Sequence, residues 1–116
     1  MSEFHDRAAD AKYMRVYKQE TPDITKAFAE FDGAVFAAEG REIPLKYREL
    51  IALGVAVTTQ CPYCIEAHSK NAVKAGASDA ELAEAAWVAT AIRAGGGLTH
   101  GWLGFKFGEE ARGHQH

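Results

Sequence analysis

The fold is decided by residues 45–68, whose sequence is LKYRELIALGVAVTTQCPYCIEAH. The apolar run Leu50–Val57 within it fits a buried strand as well as a buried helix. Pro44 stands immediately before this stretch and Pro62 stands within it, and proline is well accommodated at the first position of a helix. We therefore predict one helix over about Leu45–Thr59 and another that begins at Pro62 and ends before Gly76.

The strand alternative leads to a different class of protein. A strand followed by a Cys-x-x-Cys motif at a helix start is the thioredoxin arrangement. Thioredoxin sites face a cis-proline downstream of the motif, but the prolines of this chain are Pro22, Pro44 and Pro62. Nothing from Ser78 onward alternates between apolar and polar residues as a strand does. These two features favour an all-helical chain.

Composition also favours packed helices. The 116 residues suit one domain, spanning 1–116, and include 22 alanines but only six valines, five isoleucines and six leucines. Alanine is the best helix former, whereas sheets prefer β-branched and aromatic side chains. We expect a single all-α domain of five to six helices.

Start and stop signals divide the rest of the chain into further helices. Thr21, followed by proline, is a predicted N-cap, and Ser78 and Glu81 have the spacing of a capping box. Three consecutive glycines, 95–97, predict a bend. The predicted segments are Glu3–Glu20, Pro22 to about Gly40, Asp79 to about Arg93, and Leu98 to about Ala111.

Charge and hydropathy exclude several functions. The net charge is −3 with no basic run, so we expect no nucleic-acid partner and no anionic membrane surface. The longest strongly apolar stretch, Leu50–Val57, is far shorter than the roughly 20 residues of a membrane span. The first residues are polar and carry no signal-peptide pattern. Two cysteines do not make a disulfide scaffold, and we expect a cytoplasmic protein.

The sequence contains one motif of chemically reactive side chains, Cys-x-x-Cys-x-x-x-His, formed by Cys61, Cys64 and His68. Residues three and four apart share a face of a helix, so the two sulfurs lie near each other and the imidazole lies one turn from Cys64. A helix N-terminus and a nearby proton acceptor favour the thiolate, as a redox cysteine requires. Two alternatives remain open for the cysteines: three zinc ligands together with His68, or two small buried apolar residues. His68 could also be an ordinary core or capping histidine.

A zinc site would need a fourth ligand, and the sequence offers only scattered histidines for it. These are His5, His100, His114 and His116. The last two belong to what we expect to be a solvated tail, and His100 fits a histidine at a subunit contact.

Glu49 falls on the apolar stripe of the predicted helix over Leu45–Thr59. A carboxylate is costly to bury unless it is paired or hydrogen-bonded. It could serve the chemistry of the cysteine motif. It could equally be paired with Lys46 or Arg48, or lie at the edge of the stripe.

The segment Arg48-Glu49-Leu-Ile-Ala-Leu, leading into Gln60-Cys61-Pro-Tyr-Cys64-Ile-Glu-Ala-His68, resembles the AhpD-like branch of the carboxymuconolactone decarboxylase family. In that branch a glutamate stands twelve positions before the first cysteine, which is the position of Glu49 here. The match covers roughly residues 45–94. It implies an all-α fold assembled as homotrimers or homohexamers, and a thiol-dependent peroxidase that reduces hydrogen peroxide or organic hydroperoxides.

The resemblance also assigns roles. Cys64 would be the peroxidatic cysteine, Cys61 the resolving cysteine, and His68 with Glu49 a proton relay. An external dithiol of lipoyl or thioredoxin type would reduce the disulfide, and no metal or organic cofactor is required. One departure is Tyr63, which stands where the best-known peroxidases of the branch have a histidine and puts the rate in doubt.

One physical argument opposes this division of labour. As the predicted N-cap, Cys61 feels the helix dipole most strongly and could be the nucleophile. We favour Cys64 because a nucleophile needs a nearby base as well as the electrostatic field of the helix dipole, and His68 lies one turn from Cys64.

Two other functions and the state of assembly stay open at this point. The chain could be a decarboxylase of a muconolactone-like acid, or a non-enzymatic metal-binding or oligomeric scaffold. A chain with few large aliphatic residues should bury helix faces between subunits. Candidate contact residues, for which core packing is the alternative, are Trp87, Trp102, Phe105 and Phe107.

Overall fold

The computed structural model of the protein describes residues 6–113. Over that range the chain forms six α-helices and no strand, which confirms the all-α prediction and removes the thioredoxin alternative. The helices are α1 Arg7–Glu20, α2 Pro22–Val35, α3 Leu45–Thr59, α4 Pro62–Lys74, α5 Asp79–His100 and α6 Trp102–Ala111. The start of the predicted first helix, residues 3–5, and the predicted tail with its two histidines lie outside the described residues.

The centre of the structure is α3, which packs against both α4 and α5, while α1 packs against α2. Small residues line these contacts and let the helices approach closely. The buried residues of the described chain are Glu49, Leu53 and Ala56 on α3, Ala72 on α4 and Ala89 on α5. Glu49 is therefore a carboxylate inside an apolar core, which confirms its place on the apolar stripe.

Local signals fix the two helices that carry the motif. Gln60 adopts a left-handed conformation (φ 57°) and ends α3, and Pro62 occupies the first turn of α4. Gly76, at φ 103°, follows α4 as predicted. The capping box at the start of α5 is complete, because the side chains of Ser78 and Glu81 each bond the backbone of the other.

Three predictions about the ends of helices are wrong in detail, two on boundaries and one on a cap. The expected bend at 95–97 is absent: α5 runs through the three glycines to His100, and α6 begins at Trp102. Each glycine costs a helix about 1 kcal/mol relative to alanine, and the backbone hydrogen bonds of α5 continue past all three glycines. At its end the Gly101 N–H donates to the Gly97 carbonyl at 2.9 Å. Helix α2 stops at Val35, short of Gly40.

The third difference concerns Thr21. It is the N-cap of α2, as predicted, but its hydroxyl does not cap that helix. The hydroxyl instead donates to the Tyr17 carbonyl of α1 at 2.8 Å. The Thr21 hydroxyl therefore bonds the last turn of α1 rather than the backbone of the first turn of α2.

A large share of the apolar surface is left uncovered by the chain itself. The accessible surface is 9061 Å², against about 6,200 Å² for a compact monomer of this mass. The radius of gyration is 19.7 Å, against about 13 Å. Each of the four candidate contact aromatics is at least 60% exposed, so core packing within one chain is excluded for Trp87, Trp102, Phe105 and Phe107.

In residues 6–113 we find no helix that combines the length and the apolarity required to cross a membrane.

Candidate active site

The junction between α3 and α4 places both cysteines. Cys61 is the N-cap of α4, as predicted, and its Sγ accepts a hydrogen bond from the Cys64 N–H at 3.3 Å. A sulfur at this position is stabilised as the thiolate by that N–H and by the positive end of the helix. The N-cap position thus favours negative charge on Cys61.

Cys61 and Cys64 are joined as a disulfide, with their Cα atoms 5.3 Å apart. Both residues are half-buried at the start of α4. The described structure is accordingly the oxidised form of the pair. The prediction that the two sulfurs lie within bonding reach is confirmed.

The glutamate finds its partner on the neighbouring helix. Glu49 Oε1 lies 2.6 Å from His68 Nδ1, and the exposed fractions of the two side chains are 4% and 19%. An ionised carboxylate only accepts hydrogen bonds, so His68 Nδ1 is the donor in this pair. Among the ion pairs within residues 6–113, this one has the least exposed side chains.

Neither neighbour in sequence pairs with Glu49. Lys46 binds Glu81 of α5 at 2.9 Å instead. That ion pair raises the pKa of Lys46. The pKa of Glu81 is lowered by its bond to the Ser78 backbone and, next, by Lys46. Of the alternatives for Glu49, pairing with Lys46 or Arg48 and an edge position are both wrong.

Arg48 binds backbone rather than acid. Its guanidinium donates to the carbonyls of Ile43 (2.8 Å), Val35 (2.7 Å) and Ala37 (2.7 Å), all in or beside the segment between α2 and α3. A planar guanidinium with several fixed donors suits such a set of acceptors. Arg48 therefore fixes the path of this connection.

A residue that the sequence analysis passed over also contacts the site. Phe36, just after α2, has its ring centroid 4.8 Å from that of His68, with the ring planes 30° apart. The predicted segment from Pro22 to about Gly40 includes this phenylalanine, but α2 ends one residue before it. No spacing signal relates residues 36 and 68, because they come together through tertiary packing.

Tyr63, between the cysteines, turns toward α1. Its hydroxyl is hydrogen-bonded to the Asp10 carboxylate, and this bond raises the pKa of Tyr63. The phenol therefore stays protonated and donates to Asp10. Arg7, from the same helix, binds the Tyr63 carbonyl at 2.7 Å and Glu66 Oε1 at 2.5 Å. The pKa of Glu66 is lowered, first by Arg7 and then by Lys70.

Of the four histidines considered as a fourth zinc ligand, His100 alone lies within the described residues, and it is not brought to this site. His100 is exposed at the end of α5, and within residues 6–113 no hydrogen bond or ion pair connects it to the cysteines, His68 or Glu49. Over the same range, no group of three or more histidine, cysteine or acidic side chains is arranged to hold a metal ion.

Comparison with known proteins agrees with this arrangement of helices. Residues 22–105, which include α2 to α5 and the whole of the site, match the sequence profile of the carboxymuconolactone decarboxylase family. The chain belongs to the carboxymuconolactone decarboxylase family.

Similar proteins come from distant bacteria and an archaeon. A carboxymuconolactone decarboxylase family protein from Legionella pneumophila, solved in its apo form, is 29% identical; the match covers 73% of this chain and 74% of that one, with a TM-score of 0.65. A protein of known structure from Methanobacterium thermoautotrophicum is 31% identical over 77% of this chain and 98% of its own, with a TM-score of 0.69. Among curated sequences, uncharacterized protein 4 in the cox locus of Paracoccus denitrificans is 43% identical over 77 residues, 66% of this chain and 68% of its own.

Proposed function

We propose that this member of the family is a thiol-dependent peroxidase of the AhpD-like type, acting on hydrogen peroxide or organic hydroperoxides. The observation that carries the proposal is the buried Glu49–His68 pair, which lies one helical turn from Cys64 in a disulfide-forming cysteine pair. Peroxide reduction needs a thiolate and a proton for the leaving oxygen. This site offers both.

The reaction starts from the reduced cysteines. The Cys64 thiolate attacks one oxygen of the peroxide, the O–O bond breaks, and the products are a sulfenic acid on Cys64 and an alkoxide or hydroxide. A proton from the relay converts that leaving group to an alcohol or water. The Cys61 thiolate then attacks the sulfenic sulfur, and one proton and the sulfenic hydroxyl leave as water.

The two cysteines have environments that suit these different roles. His68 is four residues after Cys64 on the same face of α4, so a base is available to the peroxidatic sulfur. Cys61 has the N-cap position and the Cys64 N–H, which favour the thiolate that must attack the sulfenic acid. Under this proposal the helix dipole serves the resolving cysteine, so the physical argument for Cys61 no longer opposes the assignment of Cys64.

An external dithiol closes the cycle. Its thiolate attacks the Cys61–Cys64 disulfide and forms a mixed disulfide. Its second thiol then attacks the carrier's sulfur in that bond and displaces the protein thiolate, so that the carrier ends as a disulfide and the protein with two thiols. A carrier of lipoyl or thioredoxin type in a reducing cytoplasm has this chemistry. No metal or organic cofactor enters any of these steps.

Self-association is part of the proposal. The surface in excess of a compact monomer is about 2,900 Å², several times the roughly 800 Å² that one partner buries in a standard interface. Part of that surface is an apolar groove of about 580 Å³ between α3 and α5, with Ile51, Val55, Val88 and Ile92 among its lining residues. We expect further copies of the chain to cover it, in a trimer or hexamer.

Mass spectrometry of the reduced protein after one equivalent of peroxide tests the function. We expect a loss of two hydrogen masses and a peptide containing the Cys61–Cys64 disulfide, formed much faster than in the protein unfolded with urea. Oxidation no faster than in the unfolded chain would overturn the proposal. Stoichiometric zinc that is lost in Cys61→Ser would instead support a metal-binding scaffold.

The family profile favours one second candidate, a decarboxylase of a muconolactone-like acid. The Glu49–His68 pair could move a proton in such a reaction without the cysteines. Release of carbon dioxide from γ-carboxymuconolactone, unchanged when both cysteines are replaced by serine, would establish it.

A further inference from the structure

The imidazole of His68 is held from two directions. In its ring plane, Nδ1 bonds Glu49 Oε1 at 2.6 Å. Over its face lies the ring of Phe36, at 4.8 Å between centroids. A hydrogen bond to a carboxylate still permits the imidazole to tilt about the bond, whereas an aromatic ring packed on the face restricts that tilt. The two contacts together define one orientation.

Phe36 does not belong to a helix of its own that would fix it. It is the C-cap of α2, and its N–H donates to the Asp32 carbonyl at 3.1 Å. Residues 36–44 then connect to α3 without regular structure, apart from isolated turns and bends. A side chain at such a position needs support from elsewhere.

That support comes from Arg48. Its guanidinium binds the carbonyls on either side of Phe36, those of Val35 and Ala37, each at 2.7 Å. Arg48 and Glu49 are adjacent on α3, the most buried helix. One helix therefore fixes both the carboxylate that binds the imidazole and the backbone that presents the ring over it.

We propose that Phe36 is a positioning residue for the Glu49–His68 pair, which orients the imidazole and keeps water from the bond between them, and that Arg48 holds Phe36 in place. The role deepens the proposed function and rests on it. A water-excluded hydrogen bond is stronger and its proton exchanges more slowly with solvent. The orientation matters because a small misplacement of a catalytic group can cost about 100-fold in rate.

The test substitutes Phe36→Leu, which keeps an apolar side chain of similar volume and removes the ring. In protein with isotope-labelled histidine, the Nδ1–H of His68 is identified as the signal that His68→Gln removes. We expect solvent exchange of this proton to be about tenfold faster in Phe36→Leu and peroxide reduction to be slowed by about tenfold. Phe36→Tyr, which keeps the ring, should restore both measurements to within about twofold of wild type.

A second pair of variants separates positioning from folding. Arg48→Lys loses the planar set of donors, touches neither His68 nor a cysteine, and should accelerate exchange of the same proton. Its matched control is Arg41→Lys, because Arg41 also binds carbonyls of this region, those of Ala34 (3.1 Å) and Gly40 (3.2 Å). The control should leave the exchange rate unchanged.

The outcomes are distinguishable from a failure of the proposed function. Wild-type exchange in either Phe36→Leu or Arg48→Lys would overturn the positioning role, whatever the peroxidase activity. If wild type reduced no peroxide, the proposed function would fail, while faster exchange in both variants would still show that Phe36 and Arg48 position His68. Faster exchange in Arg41→Lys as well would also overturn the proposal, because any loosening of the connection would then suffice.

Discussion

Glu49 of α3 and His68 of α4 are 19 residues apart in sequence, yet Oε1 and Nδ1 lie 2.6 Å apart in a largely buried pair. A buried carboxylate is tolerated only with such a partner, and removal of either member leaves the other unsatisfied. The pair therefore connects α3 and α4, in addition to the proton transfer that we propose for it. Experiments on it must separate these two effects.

Replacement of either member should slow peroxide reduction. We expect Glu49→Gln and His68→Gln each to lower the second-order rate by at least roughly tenfold, because proton transfer by a positioned side chain contributes about 10²–10⁴-fold. The double variant should be little worse than the slower single one, since both act through one relay. Stopped-flow kinetics would measure this.

Glu20→Gln is the matched control, since Glu20 is an exposed acid at the end of α1 and does not line the groove between α3 and α5. Each variant must keep its helical circular dichroism and its oligomer size. A wild-type rate in folded Glu49→Gln would leave the cysteines as a redox pair and remove Glu49 from the mechanism.

The two single-cysteine variants should give different products with peroxide. We predict that Cys61→Ser consumes one peroxide and stops at a sulfenic acid on Cys64, because the thiolate that condenses with it is gone. Cys64→Ser should not react appreciably. A dimedone adduct located by peptide mass spectrometry distinguishes the two. A sulfenate on Cys61 of the second variant, formed at the wild-type rate, would reverse the assignment.

Assembly should be visible in dilute solution. Light scattering at micromolar concentration should give the mass of a trimer or hexamer, because one chain exposes too much apolar surface to be stable alone. Phe105→Asp, in the exposed aromatic set, should reduce the mass and lower the melting temperature. Lys106→Asp, the next residue of α6, is the control for added charge. A monodisperse wild-type monomer would contradict the prediction.

Protonation of Glu81 should lower the stability of the fold at acidic pH. Its pKa is lowered below the ordinary 4.5 by the Ser78 backbone first and by Lys46 next. These contacts therefore stabilise the fold above pH 4.5, and the stabilisation is lost as the pH falls through the lower, folded value. Since the pair is solvent-accessible, we expect Glu81→Gln to lower the melting temperature at pH 7 by a few degrees at most.

The same measurement in acid supplies the check. Wild type and Glu81→Gln should converge as the pH drops below the folded pKa of Glu81, because the wild-type carboxylate is then neutral as well. A difference that stays constant with pH would assign the effect to packing.

Local chemistry made the helices around the motif predictable. Prolines and a capping box mark the starts of α3, α4 and α5, and such signals act within one turn of a helix. The end of α5 was not predictable in this way, because the glycines at 95–97 allow either a bend or a continued helix. Within the site, the apolar stripe left open whether Glu49 is buried or lies at its edge, and only the family resemblance, not the spacing, paired it with His68. That partner, and the Phe36 and Arg48 contacts, depend on how separate segments pack.

The spacing of the two cysteines has a consequence for the speed of the cycle. Positions three apart in an α-helix have Cα atoms about 5 Å apart, and a disulfide requires about 4.4–6.8 Å. The observed 5.3 Å between Cys61 and Cys64 satisfies both. The backbone can thus keep a single path whether the sulfurs are bonded or separate, and no helix has to unwind between turnovers. In the proposed cycle, thiols on different elements would require a chain motion at each oxidation, whereas for this pair we expect side-chain rotation to suffice.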